Sequence, residues 1–160
     1  MTLAEEKQVQ RKAGIAARRA LAPETRAAAN ATLCARLAAL PCFRQAQTIL
    51  FYAAFGGEAD LTTLAETARG LGKTLAYPVC GENFSLTAAV PGEDGWEAGA
   101  YGIRTPILSR AEILPPEALD LIFVPCTAFD AACGRVGMGK GYLRPLPAPL
   151  HPRGEAGHCV

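Results

Sequence analysis

Apolar residues recur at helical spacing near the start of the chain, which predicts two consecutive helices. Residues 3–21 carry a weak apolar stripe, and lysines and arginines crowd the rest of the surface. Pro23 interrupts this first helix. Residues 24–40 carry a cleaner stripe of alanine and leucine, which Pro41 ends. The first of the two predicted helices is therefore strongly basic.

Short apolar runs bounded by turn residues predict the strands. Residues 48–53, 74–77 and 119–124 are mainly apolar runs, which are typical of strands buried in a parallel sheet. Residues 84–90 are compatible with a further strand, within a region from 81 to 118 that is otherwise irregular.

A third helix is predicted between the first two strands, where Asp60 can cap its start and Gly72 can end it. Strand, helix and strand form a β-α-β unit with a right-handed crossover. The alternation predicts a three-layer α/β/α domain with a mostly parallel central sheet. Ligands bind beyond the carboxyl ends of such strands, which points to residues 55–60 and 127–142.

Composition narrows the possible classes of protein. The 160 residues are half apolar and 19% charged, as expected for one globular domain. The net charge of +1 gives no field that would attract nucleic acid or an anionic membrane. No apolar run approaches the roughly 18 residues of a membrane span, and the start lacks a secretory signal. We therefore expect a cytoplasmic protein.

Cysteine and histidine exclude some kinds of site. The six cysteines include no C-x-x-C pair, so we expect small buried hydrophobes rather than zinc ligands or disulfides. Histidine is absent before His151, so the main body offers no histidine base or histidine-containing metal site. Any chemistry is expected to rely on positioning and charge, as phosphoryl transfer does.

The most informative stretch is the glycine loop, Gly134 to Tyr142, in which Arg135 and Lys140 stand among four glycines. Glycines let backbone N–H groups approach phosphate oxygens, and the cations neutralise their charge. The spacing matches neither a Walker A loop nor a Rossmann fingerprint. The sequence leaves two interpretations open, a phosphate site and a flexible connector.

Three further side chains are candidates. Glu58 follows a strand end and could accept hydrogen bonds from a ligand, although a solvated loop acid is the alternative. Lys7 and Arg11 lie one turn apart on one helix face and could present two cations to a polyphosphate. The alternative for this pair is an ordinary solvated face.

Several segments, taken in order, resemble the 5-formyltetrahydrofolate cyclo-ligases, also called methenyltetrahydrofolate synthetases. Each segment is weak alone, whereas the ordered set is specific. The segments are Lys7 to Arg11, Arg18 to Arg26, Tyr52 to Asp60, Tyr77 to Val79, Tyr101 to Pro106, Asp120 to Asp130 and the glycine loop.

The resemblance implies a three-layer α/β fold and a ligase that uses ATP and Mg²⁺. The implied reaction closes 5-formyltetrahydrofolate to 5,10-methenyltetrahydrofolate, with release of ADP and phosphate. ATP is understood to phosphorylate the formyl oxygen, after which N10 attacks and phosphate leaves. The expected partners are ATP and a reduced folate, with no nucleic acid or membrane, and the chain is expected to be a monomer.

The resemblance also implies roles for particular residues. Those implied to bind ATP are Lys7, Arg11, Arg135, Gly137, Gly139, Lys140, Gly141 and Tyr142. Those implied to bind the folate are Ala53, Glu58, Tyr101, Met138 and Tyr142. Arg135 and Lys140 are implied to be catalytic.

The chain departs from the family pattern in three places. Thr105 and Val136 stand where the family often has Glu and Leu. The third departure is larger, because the loop should continue Gly-Tyr-Tyr-Asp-Arg with an Asp associated with the metal, whereas Leu143 follows Tyr142. We expect residues 1–142 to form an incomplete cyclo-ligase-like domain without its closing strands, and no side chain here is expected to bind the metal.

Residues 143–160 form an atypical proline-rich tail, for which two hypotheses stand. One is a genuine disordered tail. The other is a shifted reading frame. In the family-like continuation Tyr-Tyr-Asp-Arg-Tyr-Leu-Pro-Arg-Cys-Thr, written in GC-rich codons, one T is inserted into the second Tyr codon. The shifted triplets then translate as the sequence from Tyr142 to Pro152. Lost closing strands would uncover a sheet edge and core surface, so low stability, aggregation and little turnover are expected.

Two other functions compete with the ligase as interpretations of the sequence. A nucleotide- or folate-binding protein without turnover is the first, because the metal-linked Asp is absent. An RNA-associated protein is the second, and near-neutral charge and few aromatic residues argue against it.

Overall fold

The computed structural model describes residues 1–132 and 134–139, and of Phe84 only the backbone. The helices among these residues are α1 (Leu3–Ala20), α2 (Pro23–Ala39), α3 (Pro41–Gln45) and α4 (Thr62–Gly70). A capping box begins α1, since the Thr2 hydroxyl accepts from the Glu5 N–H and the Glu5 carboxylate accepts from the Thr2 N–H. Proline begins α2 and α3, where a missing N–H is tolerated.

A five-stranded sheet forms the centre of the fold, in the order β6-β3-β2-β1-β7. The strands are β1 (Thr48–Leu50), β2 (Thr74–Cys80), β3 (Leu86–Pro91), β4 (Trp96–Ala98), β5 (Arg104–Pro106), β6 (Ala111–Leu114), β7 (Leu121–Ile122), β8 (Ala128–Phe129) and β9 (Arg135–Val136). β1 pairs in parallel with β2 and β7, whereas β3 pairs antiparallel with β2 and β6. Four of the five strands therefore point the same way. β4–β5 and β8–β9 are separate two-stranded hairpins.

The main core lies between one face of this sheet and helices α2, α3 and α4. Ile49 and Phe51 of the β1 segment are almost fully buried in it, with Leu64 of α4 and Phe43 of α3. The intervening Leu50 points to the opposite face, where a smaller apolar cluster forms. Full burial of one such side chain contributes about 1.5–3 kcal/mol, so these few positions account for much of the stability.

The α/β class and the mostly parallel central sheet are confirmed. The predicted helices 3–21 and 24–40 agree with α1 and α2 to within about one residue. Gly72 ends α4 as expected, with a φ of 72°. The N-cap of α4 is Leu61, so the predicted cap position was wrong by one residue. The Asp60 carboxylate still accepts from the Thr62 N–H at 2.9 Å, which supplies the expected stabilisation.

The expected burial of the cysteines is wrong in part, and the expected loss of closing strands stays a prediction. Cys34 is buried as expected, whereas Cys42 and Cys126 are partly buried and Cys80, the last residue of β2, is exposed. The proposed loss of closing strands concerns residues 140–160, which lie outside the described residues. Among residues 1–132 and 134–139, no helix combines the length and the hydropathy of a membrane-spanning segment.

Candidate functional site

Helix α1 packs closely against the segment that enters the β8–β9 hairpin. Gly14 permits this approach, because a Cβ atom there would overlap the backbone carbonyl oxygen of Thr127. The N–H and the hydroxyl of Thr127 both donate to the carbonyl oxygen of Val136, each at 2.7 Å, which closes the hairpin. The basic helix is therefore held directly beside the start of the glycine loop.

Asp130 shapes the turn between β8 and β9. Its Oδ1 accepts from the backbone N–H groups of Ala132, at 2.9 Å, and Gly134, at 2.8 Å. The hairpin register then places Arg135 opposite Phe129. Both side chains are exposed, so the turn presents a cation and an aromatic ring at one edge of the site.

Arg11 joins α1 to the glycine loop. Its Nε donates to the carbonyl oxygen of Gly137 at 2.8 Å, and its Nη1 donates to Gln8 Oε1 at 2.5 Å. Gly139 has a φ of 91°, and a Cβ there would lie 3.2 Å from the Arg11 guanidinium carbon. Lys7 lies one helical turn earlier and is exposed. Lys7 and Arg11 of α1 thus form one surface with the glycine loop. The sequence predicted the two cations and the loop separately as candidate phosphate ligands.

Two further arginines extend this surface toward a cavity of about 210 Å³. Arg18 Nη2 lies 3.9 Å from the sulfur of Met138 in the glycine loop. Arg26 Nη2 donates to the Arg18 carbonyl oxygen at 2.7 Å. The Nε atoms of both arginines are buried and have no hydrogen-bond partner among the described residues. Both side chains line the cavity together with Glu58.

Glu58 is positioned by a tight turn after β1. Gly56 and Gly57, with φ values of 60° and 81°, reverse the chain in a conformation that side chains disfavour. Glu58 Oε2 accepts from the Phe55 N–H at 3.0 Å, which fixes the half-buried carboxylate. The Phe55 ring packs on Tyr101, with 6.0 Å between centroids. The turn therefore places a carboxylate close to a pair of exposed aromatic rings.

The electrostatics connect the two parts of the site. Burial raises the pKa of the Cys126 thiol. The positive charges of Arg135 and Arg18 oppose this shift, whereas the negative charge of Glu58 adds to it. Cys126 is therefore within electrostatic range of all three. Burial, followed by Glu58, also raises the pKa of Tyr52, whose hydroxyl donates to the Ala59 carbonyl oxygen at 2.8 Å. The Glu58 carboxylate therefore acts on both of these groups.

The structure brings together most of the described candidates. Arg11 touches the loop at Gly137 and Gly139, and Met138 lies against the Arg18 side chain. Ala53 is half-buried just beyond β1, on the way to the Glu58 turn. Tyr101, 67% exposed, reaches the site through Phe55, and Arg135 lies at the hairpin. Lys140, Gly141 and Tyr142 lie outside the described residues.

Sequence reasoning gave no role to Arg18, Arg26, Gly14 or Cys126. Arg18 could have been found, since it lies seven residues after Arg11, two turns along the same helix face. The other three carry no such signal, because their places depend on how α1, α2 and the loops pack together.

The sequence of the chain is similar to those of known proteins. Residues 3–145 match the 5-formyltetrahydrofolate cyclo-ligase family. The chain belongs to this family. It is similar to the 5-formyltetrahydrofolate cyclo-ligase of Haemophilus influenzae, with 30% identity over 102 residues that cover 62% of the chain and 54% of the relative. It is equally similar to the Escherichia coli K12 enzyme of the same name, with 30% identity over 129 residues, 78% of the chain and 70% of the relative.

Solved structures of the family agree with the fold. A 5,10-methenyltetrahydrofolate synthetase of Aquifex aeolicus has a TM-score of 0.76 and 32% identity. The match covers 88% of this chain and 71% of the Aquifex chain. A 5,10-methenyltetrahydrofolate synthetase of Mycoplasma pneumoniae, at 20% identity and a TM-score of 0.68, shows the fold alone, over 92% of this chain and 80% of its own. The chain spans about half the length of the Haemophilus relative. The expected family is confirmed, whereas the residue roles remain predictions.

Proposed function

We propose that the protein closes 5-formyltetrahydrofolate to 5,10-methenyltetrahydrofolate in a reaction that consumes ATP. One observation carries the proposal: Arg11 of α1 donates to Gly137 of the glycine loop, 126 residues later. This contact forms a cationic surface, which Arg18 extends to the Glu58 cavity. The names of the family and of its relatives support the same reaction.

The cationic surface fits the phosphates of ATP. Arg11, Lys7 and Arg135 provide three positive charges near glycines whose small size exposes the backbone. Cations and backbone N–H groups held in place stabilise the charge of a transferring phosphoryl group without a proton acceptor. ATP supplies the phosphoryl group that activates the formyl oxygen. The side chains of this chain bind and orient the phosphates.

The Glu58 turn fits the reduced folate. The Glu58 carboxylate can accept hydrogen bonds from ring N–H groups, and the Phe55–Tyr101 pair offers a flat surface for stacking. Met138 lies against Arg18, which lines the Glu58 cavity, so the formyl group would lie between Glu58 and the loop cations. Ala53, just beyond β1, stays a predicted folate contact. Orientation of the two reactants is then the main contribution of the protein to the rate.

Mg²⁺ has no three-ligand protein site among the described residues. Within residues 1–132 and 134–139, no group of three His, Cys, Asp or Glu side chains could hold a metal ion. We propose that Mg²⁺ binds through the phosphates of ATP, and we derive no step from it.

The proposal is tested by following the absorbance of the methenyl product with purified protein, 5-formyltetrahydrofolate and Mg-ATP. Arg11→Met should lower kcat/KM by about 10²–10³, the effect of removing one charge-stabilising donor. Lys12→Met is the matched control, since Lys12 is an exposed neighbour on α1 outside the site, and it should keep full activity. Product formation that is equal in the wild type and Arg11→Met would contradict the proposed role.

A second candidate is binding without turnover, which one observation favours. The resemblance expects Tyr-Asp-Arg after Tyr142, whereas the chain has Leu143-Arg144. ATP binding that Arg11→Met abolishes, with no methenyl product from the wild type, would select this candidate. Absence of both binding and product would exclude the two candidates together.

A further inference from the structure

A larger cavity, of about 560 Å³, opens between the end of α4 and the β4–β5 hairpin. Thr74, the first residue of β2, lines it, so it lies at the opposite end of the parallel strands from Glu58. Leu75 and Pro91 provide apolar walls. None of the described residues predicted to bind ATP or folate lines this cavity. It is therefore separate from the candidate functional site.

An ordered aromatic pair forms part of the wall. The rings of Tyr77 and Trp96 meet edge to face, with 4.8 Å between centroids and an interplanar angle of 72°. Arg104 stacks on Trp96 at 4.6 Å, which holds the indole in place. Among the described residues, no group hydrogen-bonds the Tyr77 hydroxyl or the Trp96 indole N–H. Both polar groups are therefore available to a ligand.

Charged groups of both signs surround the cavity. Arg69 lines it together with Glu93, in the β3–β4 turn, and Glu112, on β6. Burial raises the pKa of Tyr77, and Arg69 and Arg104 oppose this shift, so both cations lie within electrostatic range of the Tyr77 hydroxyl. A ligand that complements charges of both signs carries a negative and a positive group, joined by an apolar body.

We propose that this cavity binds an amino acid with an aromatic side chain. Its carboxylate would face Arg69, its ammonium group would face Glu93 and Glu112, and its ring would pack against Trp96. Lys73 also lines the cavity, but its ammonium group already donates to two backbone carbonyl oxygens, at 3.0 and 2.5 Å. This cation is therefore not needed for the ligand carboxylate.

Trp96 is the only tryptophan among the 160 residues, so tryptophan fluorescence reports on this cavity. L-Phenylalanine, which does not absorb at the red edge of tryptophan excitation, is titrated into the full chain without ATP or folate. We expect a saturable fluorescence change, with half-saturation on the order of millimolar for so small a ligand. Phenylpropionate lacks the ammonium group and phenethylamine lacks the carboxylate, so each should bind roughly tenfold more weakly.

Two variants test the orientation of the ligand. Arg69→Gln should weaken L-phenylalanine and phenylpropionate but leave phenethylamine unchanged. Glu112→Gln should weaken L-phenylalanine and phenethylamine but leave phenylpropionate unchanged. Glu117→Gln, an exposed acid outside the cavity, should change none of the three.

Arg69 and Glu112 are exposed, so both variants are expected to fold. A linear, unsaturable fluorescence change, or equal weakening of all three probes by both variants, would overturn the proposal. Because the probes are read without ATP or folate, this outcome is independent of the proposed ligase activity.

Discussion

Replacing Gly14 by alanine tests whether α1 must lie against the hairpin for the site to form. Gly14 is inside α1, so helix propensity alone predicts that alanine stabilises the protein by about 0.8–1 kcal/mol. The packing predicts the opposite effect, because the new Cβ would overlap the carbonyl oxygen of Thr127. A backbone oxygen cannot rotate away as a flexible side chain can, so the helix itself must move.

The magnitude follows from these two effects. Relief of the overlap requires a shift of roughly 1 Å or more to reach an ordinary contact distance. Overpacking of this kind costs about 1–3 kcal/mol, against a gain in propensity of about 0.8–1 kcal/mol. The net loss is up to about 2 kcal/mol, or a decrease of up to about 8 °C in the melting midpoint of a chain this long. The same shift would stretch the 2.8 Å bond between Arg11 and Gly137 and lower activity.

Gly70→Ala is the matched control, since a Cβ there meets nothing within 4 Å and Gly70 ends α4. It should be neutral or raise the midpoint by up to about 4 °C. Both midpoints are measured by circular dichroism, and activity is measured in parallel. A Gly14→Ala protein that melts as high as Gly70→Ala and keeps full activity would refute the close packing of α1.

Four further predictions concern the core, the cavity, the pH dependence and the tail. Lys73→Met should lower the free energy of unfolding in urea by about 2–4 kcal/mol, because a buried and a part-buried carbonyl oxygen lose their donor. Exposed Lys12→Met should change this free energy by less than about 0.5 kcal/mol. Glu58→Gln should raise KM for the folate at least about tenfold and leave KM for ATP unchanged; equal changes in both would contradict the assignment. Burial, then Glu58, raises the pKa of Tyr52 above its ordinary 10.0. The stability that Tyr52 contributes is therefore complete below pH 10 and decreases as pH rises further, and Tyr52→Phe should show a shallower decrease in denaturant titrations. Sequencing the source DNA across residues 141–148 should reveal one inserted nucleotide, and an intact frame with the same residues in the purified protein would contradict the frameshift hypothesis.

Local signals in the sequence were enough for α1, α2 and α4 and for the class of fold. Pro23 and Pro41 mark the two ends of α2, and the apolar run at 48–53 marks the β1 segment. The short helix α3, which begins at Pro41, was not predicted. The β4–β5 hairpin was not predicted, because each strand has three residues and its apolar pattern is too short to read. The antiparallel pairing of β3 follows from its short connection to β2, a rule that applies only once both strands are identified.

The candidate site could be predicted in its residue types but not in its contacts. Arg11 and the glycine loop were both predicted as phosphate ligands, since charge and glycine spacing are visible in the sequence. Their meeting depends on the packing of Gly14 against Thr127, and no local pattern encodes that contact. The buried Nε atoms of Arg18 and Arg26, which lack a partner in the described part of the chain, arise in the same way, from burial that only the assembled fold creates.

Helix α1 contributes cations to the site although none of its residues is fully buried. An element with so little buried surface can detach locally at a low free energy while the sheet stays folded. Detachment would remove Arg11 and Arg18 from the loop together, so ligand affinity and helix docking are thermodynamically linked. A nucleotide at a hundred times its Kd would shift that opening equilibrium by about 2.7 kcal/mol, roughly a hundredfold. Amide hydrogen exchange along α1 would then slow on binding while the rates in the β1 and β2 core hardly change.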